Sequence, residues 1–245
     1  MKRWVLLRGL MRETRHWGDF TARLQAKFPA DQIICLDWPG NGVLHQQRSP
    51  SDIHGMVRYL REQLIDHGHA APYHVVAVSL GAMAAVEWAR QAPQEFISAT
   101  LINTSLRPFN PFYQRLRPRN YGKLLSMLWH TPAQQEQLIL QLTSNQAQAA
   151  VLAQWIGYQQ QYPIARRNIL RQLWAALRYR SELSRPAVPL QILCSQHDQL
   201  VDPQCSQTLA AAWQIPCITH PSAGHDLPLD DPQWVIQQLS QLISI

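Results

Sequence analysis

Short runs rich in valine, isoleucine and leucine alternate with amphipathic or alanine-rich stretches of helical length along most of the chain. The runs are Trp4–Leu7, Ile33–Leu36, His74–Val78, Ala99–Ile102, Leu190–Cys194 and Cys217–Thr219. Between or after them lie Trp17–Phe28, Asp52–His67, Ala82–Gln91, Pro203–Trp213 and Pro232–Ile243. A strand that is apolar on both sides must be covered on both faces, and a helical crossover is what returns the chain to start a parallel neighbour. The pattern predicts an α/β fold with a doubly wound, mostly parallel sheet. Helix starts agree: Ser51 precedes one, and Asp202-Pro203 and Asp231-Pro232 place a capping carboxylate before a first-turn proline.

The alternation fails once. From about Thr104 to Ser184 there is no strand-like run, and Pro108, Pro111, Pro118, Pro132 and Pro163 punctuate several helical stretches. A segment near 80 residues exceeds an ordinary connection. It predicts a helical cap at 104–184 inserted into a core of 1–103 and 185–245. The connecting helices of a larger α/β domain would have a similar composition.

Several classes are excluded by composition and patterning. At 245 residues folding buries on the order of three quarters of the unfolded surface, so no disulfide or metal staple is required. Cys35, Cys194, Cys205 and Cys217 form no Cys-x-x-Cys pair and have no metal-ligand spacing, as expected of reduced thiols in a cytoplasmic protein that binds no metal. The apolar run after Lys2-Arg3 ends at Arg8, too soon for a signal-peptide core. Residues 70–86 carry no formal charge, but Pro72, His74, Ser79 and Gly81 make them a poor membrane span, so no stable membrane anchor is expected. The excess of 22 Lys and Arg over 16 Asp and Glu comes without a nucleic-acid motif or an uninterrupted basic tract, so nucleic acid is not an expected partner.

Chemistry concentrates at His74-Val-Val-Ala-Val-Ser79-Leu80-Gly81. An apolar strand runs into Ser79 and a helix begins at once behind it. Such a sharp turn strains the serine backbone and demands small neighbours two positions away, here Ala77 and Gly81. A serine that only caps a helix has similar surroundings. A serine nucleophile also needs a base held by a third group. Asp198 follows the run Leu190–Cys194, and Gly224-His225 follows Cys217–Thr219, which places both beyond strand ends where an open α/β sheet forms its crevice. Asp202 competes with Asp198 but precedes Pro203 as a helix cap; His197 and His220 compete with His225 but follow no small-residue turn. Acyl transfer needs two donors for the developing oxyanion. The backbone N–H of Leu80 is one candidate, and that of Leu10, in the loop Leu7-Arg8-Gly9-Leu10-Met11, is the other.

With these motifs the chain resembles the α/β-hydrolase superfamily, in its compact cytoplasmic, serine esterase-like branch with a helical cap. Asp37-Trp38-Pro39-Gly40-Asn41-Gly42 also looks like that family's Asp-x-Pro-Gly-x-Gly segment. The sequence departs in having Ala77 for the first elbow glycine and Arg8-Gly9 for the usual His-Gly, and it begins at what would be the third strand of larger members. The resemblance implies ester or thioester hydrolysis without a cofactor: Ser79 attacks, His225 moves the proton and Asp198 holds the imidazolium.

The expected partner is a small acyl ester or thioester. Arg8, Arg12 and Arg15, with Arg107, Arg115, Arg117, Arg119 and Lys123 of the insert, suggest an anionic or carrier-bound one, unless they form a solvated basic face. The same three residues also serve acyltransferases and lyases of the menaquinone-pathway type, and a non-catalytic binding module could keep the fold.

Overall fold

The computed structural model describes residues 1–146 and 149–242. Six strands, β1 (Arg3–Leu7), β2 (Gln32–Cys35), β3 (Tyr73–Val78), β4 (Phe96–Ile102), β5 (Leu190–Ser195) and β6 (Cys217–His220), form one sheet in the order β2-β1-β3-β4-β5-β6. Every neighbouring pair is parallel. The expected runs are all strands; β4 starts earlier than its run, at Phe96.

Side-chain alternation divides the core. Val5, Leu7, Val75, Ala77, Leu101 and Ile192 face one side, packed with α2 (Ile53–Asp66), α3 (Leu80–Gln91) and, further along the chain, Gln204–Trp213. Trp4, Leu6, Val76, Val78, Ile102 and Leu193 face the other, packed with α1 (Phe20–Lys27) and Pro232–Leu242. Both faces are therefore covered, as strands without a polar side require. Helix α1 begins at Phe20 and not at Trp17, because a 3₁₀ turn at Thr14–Trp17 ends on Gly18 with φ +56°. The last helix is described to Leu242; the expected end at Ile243 lies outside the described residues.

Between β4 and β5 run α4 (Phe112–Arg115), α5 (Tyr121–Ser126), α6 (Pro132–Thr143), α7 (Ala149–Gln161) and α8 (Arg166–Arg178). Three helices follow: α9 (Gln204–Trp213), α10 (Leu227–Asp230) and α11 (Pro232–Leu242). Thr131 caps α6 by accepting from the Gln134 N–H, with Pro132 in the first turn. A third apolar cluster of Met127, Ile139, Leu140, Trp155 and Ile164 closes around Met11. It seats these helices on the loop after β1.

Candidate active site

Ser79 sits between β3 and α3 at φ +56°, ψ −114°, a conformation rarely held by a residue with a side chain. Its N–H donates to Ile102 O at 2.9 Å, which ties the turn to the end of β4. Gly81 is needed because a Cβ there would lie 2.5 Å from Leu7 O and 2.8 Å from Arg8 O. Ala77 is fully buried, so a methyl is accommodated where the family has glycine. The loop after β1 lies against the serine: a Cβ on Gly9 would stand 3.3 Å from Ser79 Cβ. Neither the Leu10 nor the Leu80 N–H is used in a hydrogen bond among the described residues. Both donors are uncommitted within the described residues.

Asp198 and His225 meet from separate loops. His225 Nδ1 donates to Asp198 Oδ2 at 2.6 Å, while Asp198 Oδ1 accepts from the N–H groups of Leu200 (2.8 Å) and Val201 (2.9 Å). Both side chains are buried. Burial alone pushes the imidazole pKa down, but the Asp198 charge and hydrogen bond, aided by Asp226, outweigh it and leave the pKa raised. Nδ1 being committed to the carboxylate, Nε2 is the nitrogen left to accept a proton. Ser79 and His225 line one apolar cavity of about 90 Å³, although no hydrogen bond joins them among the described residues. Unliganded sites often show such slack. A second apolar cavity, of about 170 Å³, also reaches Ser79 and shares Leu10, Met11, Leu124, Met127 and Leu200 with the first.

The competing residues have other duties. Asp202 accepts from the Gln204 N–H at the start of α9. His220 accepts from Ser222 and Ala223 through Nδ1 and pairs with Asp231 through Nε2, and His197 is exposed.

The arginines after β1 are neither a solvated face nor free anion receptors. Arg8 is buried and holds Asp226 with two bonds of 2.9 and 2.5 Å, its guanidinium over Trp17. Arg12 is buried against Glu136 of α6, at 2.7 and 3.1 Å, and lies over Trp155. Arg15 pairs with Glu13 and stacks on Tyr158 and Tyr162. Each cation is spent on a partner within the chain.

Two positioning residues escaped the sequence reading. Asn103, at the end of β4 with φ +48°, donates to His225 O (2.8 Å) and accepts from the Ser195 N–H (2.8 Å), so one side chain sets both the histidine loop and the end of β5. Gln172 of α8, fully buried, accepts from the Met11 N–H (3.1 Å) and donates to Asn41 Oδ1 (2.7 Å) and Ser49 Oγ (3.1 Å). Met11 has φ +63°, so this bond holds a strained residue beside Leu10. Asn41 belongs to the Asp37–Gly42 segment, whose Gly40 has φ +94° and no room for a Cβ, which would meet Ser49 Oγ at 2.4 Å.

Solved structures share this fold over the whole chain. An enol-lactonase from Burkholderia xenovorans LB400 superposes with a TM-score of 0.81 at 15% identity, covering 100% of this chain and 92% of that one. The 2-hydroxy-6-oxo-6-phenylhexa-2,4-dienoate hydrolase of Rhodococcus sp. strain RHA1 gives 0.79 at 16%, covering 100% and 91%. A thermophilic esterase from Thermogutta terrifontis gives 0.76 at 16%, covering 100% and 90%. No curated protein matches by sequence. The model of the alpha/beta hydrolase family matches residues 4–238. The strained serine turn, the parallel sheet and that match together place this chain in the alpha/beta hydrolase family.

Proposed function

We propose that this chain is a serine hydrolase that cleaves a carboxylic ester or thioester through an acyl-enzyme on Ser79. The observation that carries the reading is the buried 2.6 Å bond between His225 Nδ1 and Asp198, in a pair whose histidine shares a cavity with the strained Ser79. In the first step Ser79 Oγ bonds to the carbonyl carbon while His225 Nε2 takes the hydroxyl proton. The carbonyl oxygen becomes an oxyanion held by the N–H groups of Leu10 and Leu80. The tetrahedral centre then collapses and expels the alcohol or thiol, which takes the proton back from His225. Water repeats both steps on the acyl-enzyme and frees the acid. Asp198 remains ionised throughout and stabilises the imidazolium, in keeping with the raised His225 pKa.

The apolar lining of both cavities favours an uncharged acyl group, and the two arms meeting at Ser79 offer separate room for acyl chain and leaving group. The pairing of Arg8, Arg12 and Arg15 within the chain removes the reason to expect an anionic substrate there. Segment 104–184 acts in this reading as a cap, since Leu124, Met127 and Leu128 supply cavity wall.

The reading is tested with p-nitrophenyl esters from acetyl to lauroyl. Wild-type protein turns them over, with a preference among apolar chains, and folded Ser79→Ala loses nearly all turnover. Equal rates in both proteins refute the mechanism. Absence of turnover in both, with no label from a serine-reactive phosphonate, points to a binding module. Product formation only with a second acyl acceptor points to a transferase.

A further inference from the structure

Helix α8 carries apolar residues on two sides: Ile169, Leu173 and Ala176 line the 170 Å³ cavity, and a second set points outward. It buries Asn168, Gln172 and Ala175, and sends Leu170 (51% exposed), Trp174 (52%) and Leu177 (45%) to solvent at spacings of four and three residues. One exposed face of a globular helix is normally its polar one. Here the polar side chains are consumed by the bonds to Met11, Asn41, Ser49 and Gln47. The apolar stripe is left outward with Arg166, Arg167 and Arg178 around it, Arg178 lying over the Trp174 ring. Helix α5 and the turn after it follow a related pattern, with Leu124 and Leu128 lining the 170 Å³ cavity and Leu125 and Trp129 exposed. Phe112 (66% exposed) and Leu177 do both, so the exposed apolar surface reaches the cavity mouth.

Charge follows the same geography. Residues 104–184 hold ten Lys and Arg against two Asp and Glu, more than the whole net charge of +6. One of the two acids, Glu136, is buried against Arg12. Arg166, Arg167, Arg178 and Lys123 form no ion pair among the described residues.

From this face we infer that the protein docks reversibly on an anionic lipid surface, with Leu170 and Trp174 entering the headgroup region and the arginines meeting lipid phosphates. Tryptophan and leucine beside arginine on one exposed helix face are the composition that lies in a membrane interface. A second copy of the chain is disfavoured as occupant, because symmetric docking would bring two such basic faces together. The cavity mouth within the face would let an apolar chain pass from lipid towards Ser79, and only this last clause rests on the ester-hydrolase reading.

The test is flotation of the full chain with vesicles of phosphatidylcholine alone and of equimolar phosphatidylcholine and phosphatidylglycerol. The expected result is binding to the mixed vesicles, none to the neutral ones, and release at high ionic strength. Paired substitution Leu170→Gln with Trp174→Ala lowers partitioning at least about tenfold. Arg166→Gln with Arg167→Gln lowers it about thirtyfold, from roughly 1 kcal/mol per basic residue. Ser79→Ala floats like wild type, so failure of the catalytic reading leaves this result intact. The inference is overturned by no binding to mixed vesicles, by binding that neither pair of substitutions weakens, or by a solution dimer that Trp174→Ala dissolves.

Discussion

Arg8 and Asp226 make the most exacting prediction, because they form a buried pair 218 residues apart in sequence at the wall of the cavity. Replacing Arg8 by Met keeps an apolar stem over Trp17 but leaves the Asp226 carboxylate, which takes two hydrogen bonds from Arg8, without a partner in the interior. Breaking a buried pair from one side costs about 3–5 kcal/mol. For a chain of this size each kcal/mol moves Tm by about 2–4 °C, so the expected loss is roughly 6–20 °C. Asp226→Asn should cost a similar amount, since it strands the guanidinium. Arg8→Met with Asp226→Asn removes both charges and should recover most of the loss. Calorimetry on the four proteins measures the cycle. Activity supplies a second readout: Asp226 raises the His225 pKa and Arg8 lowers it, so Asp226→Asn should shift the acid limb of the kcat/KM profile to lower pH. Single-variant losses below 2 °C, additive losses in the double variant, or an acid limb moving upward would each refute the reasoning.

Three further predictions follow from buried contacts. Gln172→Leu strands the Met11 N–H and Asn41 Oδ1, at about 1–3 kcal/mol each, and should lower kcat about tenfold or more with little change in KM, whereas Gln172→Glu, which still accepts from Met11, should recover part of the rate; steady-state kinetics and melting curves decide. Gly81→Ala places a methyl 2.5 Å from Leu7 O, so the elbow must shift and turnover should collapse even at temperatures where circular dichroism still shows folded protein. His74, buried against Trp4 and held down to about 4 by burial, binds its proton more readily when unfolded. Stability present above pH ~6.5 should therefore fall on the order of 2–3 kcal/mol as pH drops towards 4, and His74→Phe should flatten that dependence in urea titrations. His225 acts with the opposite sign, since its raised pKa contributes stability below pH ~6.5 that is lost as pH rises through its folded value.

The strands were legible because an apolar run such as Val75–Val78 has no polar side to turn to water, and because helix-length spacers admit parallel pairing. Ser79 stood out as a candidate through the small residues flanking it, and Asp198 and His225 through their places beyond strand ends. Their meeting at 2.6 Å is a tertiary fact that local pattern reaches only through the fold. The arginine partners were not legible: Arg8 and Asp226 join opposite ends of the chain, and Glu136 offers no mark that it will be buried against Arg12. Helix α8 misleads for a related reason. Its Gln172 and Asn168 are buried although polar, because they satisfy backbone groups that no water reaches, while Leu170 and Trp174 stay outside. Asn103 could have been suspected from its place at a strand end, where a residue tolerant of positive φ can hold two loops together.

In the mechanism proposed for this site, Ser79 is a nucleophile activated by the His225–Asp198 pair. That mechanism is tested most directly by treating the protein with a fluorophosphonate and locating the adduct by peptide mass spectrometry. Expected are a single phosphonyl group on Ser79, none in Ser79→Ala, and labelling slowed at least about a hundredfold in His225→Ala, in line with the contribution of a positioned base. Labelling at another residue, or equally fast labelling without His225, would contradict it.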